Sequence, residues 1–81
     1  MGNTPNDGKF RTSDLYFAAY LKVADVPFET TEMDGDRTVF IFSRVEGMRD
    51  LRDQYYRRTS QVPALSYADE IQALKALVHM R

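Results

Sequence analysis

The stretch from Phe28 to Phe42, FETTEMDGDRTVFIF, constrains the fold of this chain more than any other. Asp34-Gly35 lies between two segments rich in β-branched and aromatic residues, a strong short-range hairpin signal. A type I′ turn at these two residues needs φ > 0 at both. In that register Met33 faces Asp36, Glu32 faces Arg37 and Thr30 faces Val39. Side-chain alternation then puts Phe28, Thr30, Val39 and Ile41 on one face, and Glu29, Thr31, Thr38, Phe40 and Phe42 on the other. Phe40 is expected in the core, opposite Glu29. The second strand is apolar on both faces. A two-stranded hairpin is marginal in water, so helices must pack on it.

The flanking segments supply them. Thr12, Ser13 and Asp14 offer capping oxygens ahead of Leu15-Tyr-Phe-Ala-Ala-Tyr-Leu21. Tyr16, Tyr20 and Val23 recur at helical spacing, and Phe17, Leu21 and Ala24 repeat the pattern one position on. So wide a stripe predicts a helix buried on more than one side, stopped by Pro27. Ser43-Arg-Val-Glu46 has the form of a capping box and should open a second helix with Val45, Met48, Leu51 and Tyr55 inward. Glu46, Arg49, Asp50, Asp53 and Arg57 then face outward. A third helix starts near Pro63 and runs through Tyr67, Ile71, Leu74, Leu77 and Val78. Residues 1–8 lack an apolar anchor after Met1 and read as a disordered tail before a single compact domain, 9–81. The expected fold is a small α+β domain of order α-β-β-α-α, a two-stranded antiparallel hairpin packed on three helices.

Bulk properties narrow the function by exclusion. The chain has 81 residues, no cysteine and a net charge of −1. That length allows one modest core, and the absence of cysteine removes disulfides and thiolate metal sites. The near-neutral charge gives no general pull toward nucleic acid or an anionic membrane. No apolar run approaches the ~18 residues of a membrane span, and no leader pattern is seen, so the expected location is cytoplasmic. Met1-Gly2 suggests myristoylation, but Asn6 stands where that signal needs Ser or Thr.

Thr12-Ser-Asp-Leu-Tyr-Phe-Ala-Ala-Tyr-Leu21, the acidic-Gly hairpin ending Val-Phe-Ile-Phe, Tyr55-Tyr56 and Val62-Pro-Ala-Leu65 together resemble a family of short bacterial and mobile-element proteins. That family carries only a "domain of unknown function" label. The resemblance spans residues 9–78 and implies a compact stand-alone domain. It brings no substrate, cofactor or catalytic residue.

The residues themselves offer little for catalysis. The single histidine, His79, sits near the chain end, where the helix C-terminal dipole explains it. Asp34 and Asp36 flank a turn glycine and lack the further ligands of a calcium loop. Asp50 and Asp53 alternate with Arg49 and Arg52 in an ordinary solvated helix pattern. Ser13, Ser43, Ser60 and Ser66 fall at helix boundaries or in a loop. No enzyme, cofactor or metal site is expected.

One patch stands out: Arg44, Arg49, Arg52, Tyr56, Arg57 and Arg58, with Tyr55 shared by the core. Glu46, Asp50 and Asp53 blunt it, leaving residues 44–58 at +2 while the rest of the chain is at −3. Arginine beside tyrosine suits phosphate contact with base stacking, and the same residues are enriched at protein interfaces. The leading expectation is a non-enzymatic protein-interaction or regulatory module acting through this surface. The alternative is a small DNA- or RNA-binding protein using the second helix. A homodimer is a further expectation, because three short helices leave one apolar hairpin face and two strand edges to cover.

Overall fold

The computed structural model describes residues 8–57 and 61–79. The elements are β1 (Lys9–Thr12), α1 (Leu15–Val23), β2 (Phe28–Asp34), β3 (Arg37–Ser43), α2 (Met48–Tyr56) and α3 (Ala64–His79). The three strands form one antiparallel sheet in the order β1-β3-β2. The fold is α+β as expected, with three helices. The order, however, is β-α-β-β-α-α, and the hairpin is part of a three-stranded sheet. Residues 1–7 of the expected tail lie outside the described residues. Gly8 is already engaged, since its carbonyl accepts from the Arg44 N–H at 2.8 Å.

β1 changes the logic of the sheet. It pairs Phe10 with Phe42 and Thr12 with Phe40, so these residues share the face on which the helices pack. Lys9 and Arg11 take the opposite face, beside Ser43 and Ile41. β3 is thereby the central strand, which explains why it is apolar on both sides. Phe40 and Phe42 are buried in the main core cluster. Ile41 is only 6% exposed yet stands outside that cluster, on the face that carries no helix. Two ion pairs straddle it from β1 to β2: Lys9 with Glu29, and Arg11 with Glu32 at 3.8 Å. Surface pairs of this kind contribute little as charges, whereas long aliphatic stems can cover apolar surface. The face that carries no helix is thus crossed by the chain's own charged side chains beside the buried Ile41.

The hairpin turn is shifted by one residue from the expected type I′ form. Asp34 pairs with Arg37, leaving Gly35-Asp36 as a two-residue loop. Only Gly35 has positive φ there, at +67°, so the glycine occupies the first loop position as in a type II′ turn. A single left-handed residue, and that one a glycine, is a smaller steric demand than two. The register moves with it: Glu32 faces Val39, Thr31 faces Phe40 and Thr30 faces Ile41. Phe40 is buried as expected, though opposite Thr31 and Thr12 rather than Glu29. A bulge between Phe28 and Thr30 then brings Phe28 opposite Phe42, on the core face instead of beside Val39 and Ile41. The two rings meet edge to face, with centroids 5.3 Å apart.

α1 is the hub. Phe17, Ala18, Ala19, Tyr20 and Leu21 are all buried, and five consecutive positions go completely round a helix of 3.6 residues per turn. The helix packs against α3, α2 and β1. Ala18 and Ala19 have no bulk beyond Cβ, which permits close approach of its neighbours. Lys22 binds Glu70 of α3 at 2.8 Å, and the Tyr67 hydroxyl donates to the Tyr16 carbonyl at 3.1 Å. α3 contributes Leu74 to the core, with Tyr67, Ile71, Leu77 and Val78 packed around it.

Two helix boundaries differ from their sequence expectations. α2 does not begin at a Ser43–Glu46 capping box. Ser43 is the last residue of β3, and its hydroxyl donates to Glu29. The helix starts instead after Gly47, which sits in the left-handed region at φ +83° with no side-chain cap. α1 ends before Pro27 takes effect. The Asp25 N–H bonds to the Lys22 carbonyl at 3.1 Å and the Val26 N–H to the Leu21 carbonyl at 3.0 Å, while Asp25 has φ +65°. This is a Schellman closure with buried Val26 against buried Leu21, and it places an aspartate where glycine is preferred. Asp25→Gly relieves that strain. It is expected to stabilise the protein by about 0.5–1 kcal/mol, part of the left-handed penalty being returned as unfolded-chain entropy. A thermal melt reads the gain as an upward Tm shift of roughly 3–6 °C; an unchanged or lower Tm would show that Asp25 carries another contact.

Candidate interaction surface

α2 is a short helix with two distinct sides. Met48 is buried, and Leu51 and Tyr55 pack on the core with Val45 just upstream. Glu46, Arg49, Asp50, Asp53 and Arg57 are exposed, as expected. What the sequence did not reveal is the partner of that helix across a cleft. Phe10, Arg11 and Thr12 of β1 stand opposite Arg52, Asp53, Tyr56 and Arg57, with Phe17 of α1 at the base. The cleft encloses about 650 Å³ and is open to solvent.

Its walls are aromatic and held firmly. Phe17 meets Phe10 edge to face at 5.9 Å, and lies 5.1 Å from Tyr55 and 5.4 Å from Tyr56. Tyr55 and Tyr56 pack edge to face at 4.9 Å. Asp14 fixes the orientation of Tyr56. One carboxylate oxygen caps α1 by accepting from the Tyr16 and Phe17 N–H groups at 3.1 Å each. The other accepts the Tyr56 hydroxyl at 2.8 Å. A single side chain thus starts α1 and docks α2 on it. Burial pushes the Tyr55 phenol well above its ordinary range, with a hydrogen bond to Tyr67 adding to the effect. The Tyr56 phenol is also raised, by desolvation and then by the bond to Asp14, with Arg52 opposing.

Of the residues singled out from sequence, Arg52, Tyr56 and Arg57 come together on one wall of the cleft. Arg49 is exposed on α2 and is not part of the lining. Arg44 lies upstream of the helix, its guanidinium 5.6 Å from the centre of the Phe10 ring. Arg58 lies outside the described residues. Sequence reasoning missed Phe10, Arg11, Thr12 and Phe17. The only trace of β1 is the polar-apolar alternation of Lys9-Phe10-Arg11-Thr12, and four residues are too few to separate a strand from a loop. Among the described residues neither Arg52 nor Arg57 has an ion-pair partner. The cleft therefore joins aromatic surface to two guanidinium groups available for an external anion.

Comparison with known families places the chain. Residues 7–80 match the model of a domain of unknown function, DUF5659. The chain belongs to this family. It matches no curated protein and no solved structure. For a DUF5659 domain, the shape and chemistry of the cleft are the most direct guide to function. Among the described residues no group of three or more His, Asp or Glu side chains is placed to hold a metal ion, and no described helix is long and apolar enough to cross a membrane.

Two measurements test the architecture of this surface. Asp14→Ala is expected to destabilise by about 2 kcal/mol, combining a lost helix cap with a lost hydrogen bond. Tyr56→Phe alone should cost at most about 1 kcal/mol, and nearly nothing in the Asp14→Ala background; additive losses in urea denaturation would show that the two residues act independently. The raised Tyr55 phenol has the opposite consequence to an acid-sensitive group. Above about pH 10 the unfolded chain loses that proton while the folded protein keeps it, so stability falls as pH rises. Denaturation midpoints between pH 8 and 11 should fall less steeply in Tyr55→Phe, and a parallel decline would assign the loss to other groups.

Proposed function

We propose that this DUF5659 protein is a non-enzymatic protein-interaction module, with the β1–α2 cleft as its contact surface. The observation that carries the reading is the pairing of Arg52 and Arg57 with the aromatic walls of Phe10 and Tyr56 around one cleft. Aromatic rings and arginines are the side chains that supply most binding energy at protein interfaces. The walls are preorganised by Asp14 and Phe17, which lowers the ordering cost of binding. Its resemblance to short bacterial and mobile-element proteins supports an accessory or regulatory role in such a host, in the cytoplasm.

A second reading, small DNA- or RNA-binding protein, is favoured by one feature: guanidinium groups flank an exposed tyrosine, a geometry that suits phosphate and stacked base alike. The protein's net charge of −1 and the presence of Asp53 on the same wall weigh against it. The two readings separate by salt. Binding to random duplex should be negligible for an interaction module and steeply salt-dependent for a nucleic-acid binder. A photo-crosslinking residue in place of Asp53, introduced in the native host, should give adducts removed by protease and not by nuclease. The same probe at exposed Gln72 of α3 should give none. Nuclease-sensitive adducts at position 53, or equal protein adducts at both positions, would overturn the proposal.

A further inference from the structure

The chemistry of the cleft specifies its ligand more closely. We propose that it binds an extended acidic peptide segment, with one aromatic side chain inserted between Phe10 and Tyr56 and flanking carboxylates on Arg52 and Arg57. This rests on the reading of the cleft as a protein-contact surface and names the partner's chemistry.

The argument begins with spacing. Arg52 on α2 and Arg57 at its C-cap are five positions apart, about 7.5 Å along a helix axis and about 140° around it, so their long side chains diverge to either side of the cleft. On an extended peptide, side chains at i−2, i and i+2 share one face, and the outer two are about 13–14 Å apart. An aromatic residue at i can therefore enter the cleft while carboxylates at i−2 and i+2, on the same face, meet the two guanidinium groups. A guanidinium also presents a planar donor pair that matches a carboxylate in two-point contact. Both arginines lack an ion-pair partner among the described residues, so no existing bridge has to be broken.

The floor supplies the second requirement. Phe10 and Tyr56 face each other across the cleft, with the buried Phe17 beneath. The volume, about 650 Å³, is in the range of pockets that hold a small ligand and accommodates an aromatic side chain with its backbone. The Tyr56 hydroxyl is bonded to Asp14, so its ring is held as a fixed wall. Asp53, on the same wall, disfavours a continuous polyanion. A peptide avoids that repulsion because its carboxylates are discrete and an uncharged residue can lie opposite Asp53. A nucleic acid strand, with a phosphate at every step, does not have this freedom.

Fluorescence anisotropy on the full chain tests the proposal with a fluorescein-labelled peptide, Gly-Glu-Gly-Phe-Gly-Glu-Gly. The comparison probes replace every Glu by Lys, replace Phe by Ala, or substitute labelled oligothymidylate. The acidic Phe peptide should bind at least tenfold more tightly than its Lys counterpart and at least fivefold more tightly than its Ala counterpart. Arg52→Glu with Arg57→Glu should reverse the charge preference. Arg52→Gln with Arg57→Gln should weaken acidic-peptide binding about tenfold while keeping the thermal melt, which covers the case in which the reversed variant fails to fold. A charge-independent affinity, an affinity unchanged in the Gln variant, or no binding by any probe overturns the acidic-peptide inference and leaves the crosslinking result on the cleft standing. Tighter binding of oligothymidylate than of every peptide, lost in the Gln variant, overturns both and assigns the cleft to nucleic acid.

Discussion

The structure depends on a helix whose middle has no solvent side. From Phe17 to Leu21 every residue of α1 is buried, so each flank of that helix needs a neighbour, and the other elements are where they are to provide one. Phe10 of β1 covers Phe17, and Tyr55 and Tyr56 of α2 meet the same ring. α3 packs along the helix, secured by the Lys22–Glu70 pair. In a chain of 81 residues the apolar surface available for a core is small. Concentrating it around one central helix uses that surface on all sides.

That constraint also explains how much was legible in the sequence. The overlapping stripes of α1 said in advance that it would be buried on more than one side. The inward faces of α2 and α3 were readable from 3.6-residue periodicity. The Asp34-Gly35 stretch located the hairpin, because turn chemistry is local. Features set by tertiary pairing were not legible. Whether Asp34 lies in the turn or ends the strand depends on which pairing β3 accepts, and the bulge before Thr30 appears only once Phe28 is drawn to Phe42 in the core. Ser43-Arg-Val-Glu46 fits a local capping box, yet pairing with Lys9 keeps Ser43 in the sheet. A long-range partner prevailed over a local signal.

The candidate surface was legible to the same degree and for the same reason. Arg52 and Tyr56, four apart, share one side of α2 as helical spacing predicts, while Arg57, about 140° round from Arg52, reaches the cleft at the C-cap where the helix ends. The opposite wall comes from β1, more than forty residues earlier in the chain on average, and no periodicity within α2 refers to it. Arg44 illustrates the converse. It belongs to the same arginine-rich stretch but lies over the Phe10 ring instead of lining the cleft. Sequence proximity grouped it with the others; the end of β3 separated it from them.

The third strand links the two findings. By pairing with β3 it places Phe10 on the helix-covered face and Lys9 and Arg11 on the other. The first of these builds the cleft. The second puts charge on the face that carries no helix, the Lys9–Glu29 pair lying across β3 at Ser43 and the Arg11–Glu32 pair across it at Ile41 and Val39. Charged side chains on a sheet face also discourage unwanted strand pairing and sheet stacking. One four-residue strand thus makes β3 the central strand, sets ion pairs across the face that carries no helix, and places Phe10 where the aromatic cleft beside α2 forms.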